Sequence, residues 1–393
     1  MSVHPAAGVF VGPVLGLAVL VMGLPARATV VVQPGGSIQA AIDAAPPGEK
    51  ILVRPGVYRE GMPGDVVALT ITKDNIKLIA KSTRTNPVIL ENAGSQGFGI
   101  WVSPADSVPT SLPVDAEMPA CATTATSVKG FQLRGFTLRG FDVHGVHLAC
   151  VNKFKIIKNI ADGNQVYGIF PVQSQNGQVL NNEALNTPLD AAIYIGQSDN
   201  IRIQGNSVHD SLIGIEVENS RDCMVKRNLA FTNTVGILVD LLPGLLKATE
   251  ERIQVDSNVI AANNRANTGT PGDITSFIPA GTGILLLAPD TTTVQKNVVS
   301  ENDFAGIAVA SFCTALAIMS PGEPCANLGI DPNPDGDQII KNTLRNNGTA
   351  PDPSSPVAAL AADLVWDTLG TDNCWGDNVF STTFPDTGLP ACP

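Results

Sequence analysis

A short hydrophobic pattern recurs along the chain: a small residue, then isoleucine or valine, then a variable residue, then an aliphatic residue. Copies begin at Gly99, Gly145, Ala192, Gly214, Gly236, Gly283 and Gly306, with a looser copy at Gly168. From Gly145 onward they follow one another at intervals of about 23 residues, with one double step. Asparagine keeps the same interval, at Asn159, Asn182, Asn206, Asn228, Asn258, Asn297 and Asn342, and a second set lies five residues further on, at Asn164, Asn233, Asn263, Asn302 and Asn347. This periodicity predicts one supersecondary unit that is repeated to form a solenoid.

Each unit reads as short strands separated by Gly and Asn corners, because the apolar residues alternate with a period of two. Asparagine tolerates the left-handed backbone angles of such corners, and one Asn per coil can hydrogen-bond to the Asn of the next coil as a ladder. Parallel strands of successive coils would then lie about 4.8 Å apart. A leucine-rich repeat has a similar length, but its Leu-x-x-Leu-x-Leu frame is not present.

Longer steps between the two repeated patterns locate insertions. About 8 extra residues fit at 240–251, about 22 within 313–337 and about 23 at 103–127. These three leave the coil after the same strand, so we expect them to crowd one side of the solenoid, whereas a fourth, at 264–281, leaves from another corner. The ends differ from the repeats: Ser37 starts a short amphipathic helix over 37–45, and the tail carries Trp366 and Trp375. The predicted organisation is 29–64 for an N-terminal cap and first strands, 65–351 for the repeats and 352–393 for a C-terminal cap.

Composition narrows the class of protein. The 393 residues are 44% hydrophobic and 15% charged, which excludes a disordered chain. The net charge is −12, from 24 Lys and Arg against 36 Asp and Glu. Such a charge argues against non-specific nucleic-acid binding and against adhesion to anionic lipid.

The first 28 residues indicate export. An apolar run over 9–23 is too short for a membrane span, and Ala26-Arg27-Ala28 supplies the small residues of a cleavage site. We therefore predict a signal peptide over 1–28, a mature chain from Thr29, no membrane insertion after cleavage and a secreted or periplasmic location. The alternative is an uncleaved anchor, since the segment before the apolar run has no Lys or Arg.

Export makes oxidised cysteines the expectation. Cys313 with Cys325, Cys374 with Cys392 and Cys121 with Cys150 are placed for local pairs, although sequence alone does not fix connectivity. Cys223 is left over in a strand-like context, where a buried thiol is expected.

The N-terminal segment carries a family resemblance. Residues 34–42, Pro-Gly-Gly-Ser-Ile-Gln-Ala-Ala-Ile, followed by 53–59, Val-Arg-Pro-Gly-Val-Tyr-Arg, resemble the opening of the pectin-lyase-like superfamily. The Gly-Ile-x-Val and Asn patterns resemble its parallel β-helix repeats. The resemblance implies an all-β, single-stranded right-handed parallel β-helix of about nine or ten coils, with an N-terminal capping helix and a C-terminal cap. It does not imply one reaction, because members include lyases, hydrolases, epimerases, tailspikes and adhesins.

Strand alternation selects candidate binding residues. The variable residue of each pattern lies between two inward aliphatic residues, so it is predicted to face solvent. Stacked coils then give one outward column of Trp101, His147, Phe170, Tyr194, Glu216, Leu238, Leu285 and Ala308. Its aromatic part can stack on sugar rings, which makes Trp101, Phe170 and Tyr194 the predicted substrate-binding residues.

Acidic residues follow in the same region. Glu218 and Asp240 lie two positions along from Glu216 and Leu238, in adjacent coils about 5 Å apart. Two like charges at that distance need a cation or a proton between them. We therefore expect Glu216, Glu218 and Asp240 to bind Ca²⁺, or one carboxyl to have a raised pKa; the alternative is a solvated face. A second candidate for Ca²⁺ is the loop that holds Asp331, Asn333, Asp335 and Asp337, which matches the first half of a calcium-loop spacing.

Catalytic residues are suggested by the resemblance. In the similar pectate lyases, stacked carboxylates hold calcium and an Arg or Lys is the base, but the outward column here has neither. In alginate-acting relatives His and Tyr take the acid and base roles, which makes His144, His147, Tyr194 and Glu216 the candidates. The Asp-Pro-His motif of alginate epimerases is absent; Asp142-Val-His144 is the nearest segment, and alternation lets both Asp142 and His144 face outward.

Two functional classes remain at this point. One is a secreted enzyme that binds and modifies a uronate-containing polysaccharide as a lyase or C5-epimerase; the other is a non-catalytic β-helix that binds glycan or builds the cell envelope. Residues 129–158 carry six Lys and Arg against Asp142 alone, a local positive segment that could attract a polyanionic glycan. The predicted partner is a polysaccharide, the chain is expected to be monomeric, and no nucleic-acid partner is expected.

Overall fold

The computed structural model describes residues 1–2, 29–62, 64–111 and 127–393. The predicted signal peptide and its cleavage site lie outside the described residues, apart from residues 1–2. Cys121, half of one predicted disulfide, also lies outside them.

Three sheets of parallel strands wind along one axis in the described part of the chain. Sheet A comprises Val30–Val32, Lys50–Val53, Lys77–Ala80, Val128–Lys129, Gln132–Arg134, Val151–Asn152, Lys155–Ile157, Gln175–Leu180, Asp199–Gln204, Met224–Lys226, Gln254–Asp256, Thr293–Gln295, Gln338–Ile340 and Cys374–Gly376. Sheet B comprises Gly56–Tyr58, Val88–Glu91, Phe136–Arg139, Ile160–Asp162, Glu183–Leu185, Ser207–His209, Leu229–Phe231, Val259–Ala261, Val298–Ser300 and Thr343–Arg345. Sheet C comprises Val67–Ile71, Phe98–Val102, His144–Ala149, Tyr167–Val172, Ala191–Gly196, Ile213–Glu218, Val235–Asp240, Thr282–Leu287, Ala305–Ala310, Ala362–Trp366 and Thr383–Phe384. Each strand pairs in parallel with the strand one coil away, as in a parallel β-helix.

The interior is a stack of aliphatic side chains from successive coils. Ile193, Ile215 and Ile237 are in register in sheet C and fully buried, as the repeated pattern predicts. Sheets A and B meet at a two-residue corner whose first residue has a positive φ, for example Asn181 (φ 54°) and Gly205 (φ 68°). Gly and Asn adopt this conformation at low cost, whereas Lys158, Arg227 and Lys296 hold it at the equivalent position of other coils.

The predicted asparagine ladder is confirmed. The buried amide Nδ2 of each Asn donates to Oδ1 of the Asn one coil on, at 2.9–3.0 Å, from Asn159 through to Asn378. The second set is linked likewise from Asn233 to Asn347. In each ladder, identical Asn side chains satisfy the hydrogen-bonding groups that are buried at the corners.

Two α-helices lie in the described residues: α1 (Ile38–Ala44) and α2 (Phe312–Met319). The predicted helix α1 is present, and the Ser37 hydroxyl accepts a hydrogen bond from the Ala40 amide as its N-cap. Helix α2, inside the insertion at 313–337, was not predicted. Three 3₁₀ turns cover Ala105–Ser107, Ile274–Phe277 and Ala358–Leu360. The tail adds strands to sheets A and C.

The cysteine predictions are confirmed where both partners are described. Cys313–Cys325 and Cys374–Cys392 are disulfides, and Cys223 is a buried free thiol. Within the described ranges, no helix combines the length and the apolar character needed to cross a bilayer.

The insertions lie over the outer face of sheet C, the face turned away from the solenoid core. Segments 241–253 and 311–337 leave after the sheet C strands Val235–Asp240 and Ala305–Ala310. Segment 262–281 enters sheet C from the other end, before Thr282–Leu287. Side chains of 274–279, 242–245 and α2 pack on this face. The predicted crowding of one side is therefore present for the insertions at 240–251 and 313–337, and the fourth insertion joins them. Most of the insertion at 103–127 lies outside the described residues.

Candidate functional site

The column predicted to face solvent is buried. Trp101, His147, Phe170, Tyr194 and Glu216 are at most 7% exposed. Their direction was predicted correctly, because Phe170 and Tyr194 belong to a cluster separate from the solenoid core. The prediction of solvent exposure was wrong for a physical reason: the insertions cover this face, and strand alternation carries no information about what covers a strand.

A local change in strand alternation brings two histidines to the same face. His144 pairs with Tyr167 and Val146 with Ile169 in one register, while Gly145 between them is unpaired, as is the small residue of the repeat in other coils of sheet C. A Cβ at Gly145 would lie 2.7 Å from the Gly168 carbonyl oxygen, so only glycine fits there. His144 and His147 therefore share the outer face, with their Nδ1 atoms 2.9 Å apart. Asp142 is exposed but His144 is 7% exposed, so the expectation that both reach solvent was wrong for His144.

The same change in alternation places on the outer face a residue that sequence reasoning missed. Tyr167 stands one coil from His144, and their rings are 4.8 Å apart. Its ring is 4.6 Å from that of Tyr194, which stacks in turn on Phe170. Tyr167 directly precedes the small residue of its repeat, Gly168. A strict alternation with a period of two predicts that the side chain at this position points into the interior, so Tyr167 was not selected.

Trp101 lies deeper than the other aromatic residues. Its ring stacks on His147 at 3.8 Å, and its Nε1 donates to the Ser103 hydroxyl at 2.8 Å. Neither Trp101 nor His147 lines the cavity described below. The structure thus separates the predicted substrate-binding residues, with Phe170 and Tyr194 at the cavity and Trp101 behind it.

Carboxyl groups gather one and two coils beyond the tyrosines. Glu218 pairs directly with Asp240 across adjacent coils, and one oxygen from each of Glu216, Glu218 and Asp240 lies within 4.8 Å of the others. The Tyr194 hydroxyl donates a hydrogen bond to Glu218. The predicted adjacency of the three acids is confirmed, and their burial was not foreseen.

Asp190 is a fourth carboxyl that the sequence did not point to. It accepts a hydrogen bond from the Tyr167 hydroxyl at 3.2 Å and also contacts the Glu216 carboxyl. Two carboxyl groups in contact share a proton, since both cannot be ionised at that distance without a cation. Asp190 precedes the strand Ala191–Gly196, so no strand periodicity could place it.

Several buried polar atoms of this cluster have no hydrogen-bond partner among the described residues. They are Oδ1 of Asp190, Oε2 of Glu216, Oδ1 of Asp240 and Nε2 of His147. Buried polar atoms are nearly always paired, so unpaired ones mark places where a ligand, ion or water binds.

Burial sets the protonation of the cluster. It raises the pKa of Glu218 to about 7 and that of Asp190 to about 7. Burial, followed by the charges of neighbouring carboxyls, raises the pKa of Glu216 and of Asp240 well above the usual range. These shifts keep protons on the carboxyl groups near neutral pH in the absence of a cation.

The rings respond to the same burial. It lowers the pKa of His144 to about 3, so this imidazole is neutral at any physiological pH. Burial and the Glu218 charge raise the pKa of Tyr194 well above its usual value, so its hydroxyl keeps its proton. The site therefore presents neutral imidazole, protonated phenol and carboxyl groups poised near pH 7.

A cavity of about 290 Å³ opens onto these groups. His144, Tyr167, Phe170, Tyr194 and Glu218 line one side, and the segment Leu242–Leu245 lines the other. We call this space the sheet C cleft. No Lys or Arg is among the described residues that line it.

The acidic cluster fits a divalent cation better than the second predicted calcium loop does. Among the described residues, Glu216, Glu218 and Asp240 form the one acidic group close enough to hold an ion together. In the loop, Asp335 accepts hydrogen bonds from Thr371, and Asp337 accepts one from the Thr292 amide. Those carboxylates accept hydrogen bonds at the corners of the solenoid. Asp331, Asp335 and Asp337 do not converge on one point.

Comparison with known proteins identifies the fold. A family model described as a right-handed β-helix region matches residues 144–318. The A-module of the Azotobacter vinelandii mannuronan C-5 epimerase AlgE4 is 16% identical, with a TM-score of 0.55, over 88% of this chain and 93% of its own. The AlgE6 A-module from the same organism is also 16% identical, with a TM-score of 0.56, over 91% and 94%. No curated protein sequence matches the chain. The right-handed parallel β-helix fold, predicted from residues 34–59 and the repeats, is confirmed.

Proposed function

We propose that this protein is an enzyme that binds and modifies a polysaccharide in the sheet C cleft, as a lyase or C5-epimerase on a uronate-containing glycan. The observation that carries the proposal is the Tyr194–Glu218 hydrogen bond at the wall of the cleft, where the pKa of Glu218 is about 7. The fold shared with two modules named mannuronan C-5 epimerases supports the polysaccharide class. Their identity of 16% leaves the reaction to be argued from the residues.

Lyase and epimerase chemistry both begin with removal of the proton at C5 of a uronate. An effective base has a pKa near the working pH, which Glu218 meets. Tyr194 keeps its proton and is hydrogen-bonded to Glu218 on the same side of the cleft, so it can deliver a proton to the leaving oxygen in a lyase reaction. In an epimerase reaction the opposite face of C5 would take its proton from a different donor. Neutral His144 offers a hydrogen-bonding imidazole at the other end of the cleft.

The substrate carboxylate must also be neutralised, since otherwise its charge opposes loss of the C5 proton. Protonated Glu216 and Asp240 lie beside Glu218 and do not line the cleft, so they would donate hydrogen bonds to that carboxylate only where it reaches past Glu218, in place of the Lys or Arg missing from the cleft. Alternatively, Glu216, Glu218 and Asp240 would hold Ca²⁺, with Glu218 then a ligand rather than the base. The unpaired Oε2 of Glu216 and Oδ1 of Asp240 fit that role. Bound calcium would supply positive charge for the uronate carboxylate.

Secretion or a periplasmic location, and action as a monomer, remain part of the proposal. They fit a polymeric substrate outside the cytoplasm and the export signal predicted over 1–28.

The test is a screen of the purified protein on pectate, alginate and other uronans, with and without calcium. Unsaturated uronides would indicate a lyase, and deuterium exchange at C5 without cleavage would indicate an epimerase. Binding without either product would favour the non-catalytic glycan-binding alternative and would overturn the proposal.

A second candidate is hydrolysis of a neutral glycan. The observation that favours it is the cleft itself, which is lined by Glu218, with Glu216 and Asp240 next to it, and which has no Lys or Arg among its described lining residues. Two carboxyl groups of different protonation are sufficient for acid–base cleavage of a glycosidic bond. New reducing ends without unsaturated products, from a neutral polysaccharide in the same screen, would select this reaction.

A further inference from the structure

A column of cationic and amide side chains runs along the outer face of sheet A, on a different side of the solenoid from the cleft. Each member pairs with the next across adjacent coils. In order these residues are Lys50, Lys77, Gln132, Lys155, Gln178 and Arg202, and we call them the basic column.

The cations of the basic column are exposed and form no ion pair or side-chain hydrogen bond within the described residues. Lys50 lies directly opposite Lys77. Like charges in this arrangement destabilise a sheet. The chain as a whole has a net charge of −12, yet the column contains no acid. The cost of this arrangement is explained if an anion lies on it.

An apolar stripe accompanies the charges. Leu52, Ile79, Ile157 and Leu180 occupy the neighbouring outward column and are partly exposed. Arg134 stands among them, between Ile79 and Ile157, and is exposed. A charged row beside an apolar row matches a sugar polymer, which carries its anionic groups at the edge of apolar ring faces.

We propose that the basic column is a second binding site, for a single strand of anionic polysaccharide. Coils are about 4.8 Å apart, so Lys77, Lys155 and Arg202, which recur at every second coil, are about 10 Å apart. An extended uronan along the column meets a cation at alternate sugars and an amide of Gln132 or Gln178 between them. This site lies apart from the proposed catalytic cleft and does not depend on catalysis there.

The charge of the chain selects this partner over a membrane or a duplex nucleic acid. Both of those are broad anionic surfaces that a protein of net charge −12 repels. A single polysaccharide strand contacts the basic column alone and is screened from the remaining charge beyond a Debye length of about 8 Å.

The experiment measures binding of polygalacturonate, with its fully methyl-esterified form as the neutral probe. One protein carries Lys50→Gln, Lys77→Gln and Lys155→Gln. The matched control carries Lys296→Gln, Lys341→Gln and Arg345→Gln, three exposed cations near the other end of the solenoid. Both sets and the parent also carry Glu218→Gln, so that turnover in the cleft does not change the probe.

We expect the basic-column variant to bind polygalacturonate about tenfold more weakly than the parent at low salt, with a weaker salt dependence, and the control to match the parent. The methyl ester should bind all three proteins equally weakly. The melting temperature of the basic-column variant should be unchanged or higher, because a like-charge contact is removed.

Equal weakening in both variants, or none in the basic-column variant, would overturn the proposal. Loss of binding to anionic phospholipid vesicles, with polygalacturonate binding retained, would assign the column to a membrane and would also overturn it. Turnover of short oligouronides by the three-lysine variant without Glu218→Gln tests the cleft independently, so failure of one proposal is distinguishable from failure of the other.

Discussion

The outer face of sheet C has two halves that share a backbone and differ in chemistry. In the first half, from Phe98 to Asp240, the buried outward residues include aromatic, imidazole and carboxyl groups beside aliphatic ones such as Leu238. In the second half the same columns hold Leu285, Leu287 and Ala308, and α2 packs over them around a cavity of about 100 Å³ lined by apolar side chains. Insertions cover both halves. Burial under a loop thus produces an ordinary apolar core in one half, while in the other it raises the pKa of several carboxyls at a cost in stability, which points to function.

The largest difference between the two halves is expected when a substitution changes the chemistry of the first half without changing its shape. Glu218→Gln should lower kcat by about 10²- to 10⁴-fold on the substrate found in the screen, because it removes the proposed acid–base group. Glu301→Gln, at an exposed position, should leave kcat unchanged. A folded Glu218→Gln protein with full activity would show that the first half is not the active site.

The two halves should also differ in their dependence on pH. The pKa of Glu218 is raised from about 4.5 to about 7 in the folded state, so the folded protein binds the extra proton in this interval. Its contribution to stability is therefore fully present below about pH 4.5 and is lost as the pH rises through about 7, by about 3 kcal/mol.

Urea unfolding at several pH values, with a chelator present, measures this contribution as the difference between wild type and Glu218→Gln. Wild type should lose stability relative to the variant between pH 4.5 and 7. A difference that is constant with pH, or that changes in the opposite direction, would contradict the burial assigned to Glu218.

Calcium should stabilise the first half only. At a free concentration of about 100 times the Kd, binding would raise the free energy of unfolding by about 2.7 kcal/mol. Calorimetric titration should detect binding to wild type and to Asp335→Asn, but not to the protein with Glu218→Gln and Asp240→Asn. If calcium binds that double variant as strongly as wild type, the loop at 331–337 becomes the candidate calcium site.

The smallest effect is expected in the apolar half. Leu287→Ala should lower the free energy of unfolding by about 2 kcal/mol, the lower end for a buried leucine, because Leu287 is 8% exposed. Its kcat should equal that of wild type. A large loss of activity, with stability unchanged, would mean that the second half also belongs to the active site.

The sequence was sufficient for those features that repeat. The interior position of Ile193 and Ile215, the ladder from Asn159 onward and the adjacency of Glu218 and Asp240 all follow from one interval and one alternation. The change in alternation at the small residue also repeats from coil to coil, but a strict period of two does not contain it. The outward position of Tyr167, just before Gly168, was therefore not accessible.

Burial of the site was inaccessible for a different reason. The covering segments have no periodicity, so nothing in them shows which face they fold onto. Helix α2 and the segment Leu242–Leu245 are positioned by contacts with residues far away in sequence, and Asp190 lies in a connection outside any strand. The sequence predicted only where the insertions leave the coil, which is at one end of the sheet C strands.

The asparagine ladder has a consequence for how new activities could arise on this scaffold. Successive members are separated by 22 residues at Asn206–Asn228 and by 45 at Asn297–Asn342, yet their Nδ2–Oδ1 distances are 3.0 and 2.9 Å. The geometry of the asparagine ladder therefore does not depend on the length of the loop between two coils. Doubling the length of such a loop costs only about 0.6 kcal/mol in closure entropy. The insertions that cover sheet C can therefore be replaced without changing the coils beneath them. Grafting a different one between Asp240 and Gln254 is a route to a new substrate preference with the supporting coils left intact.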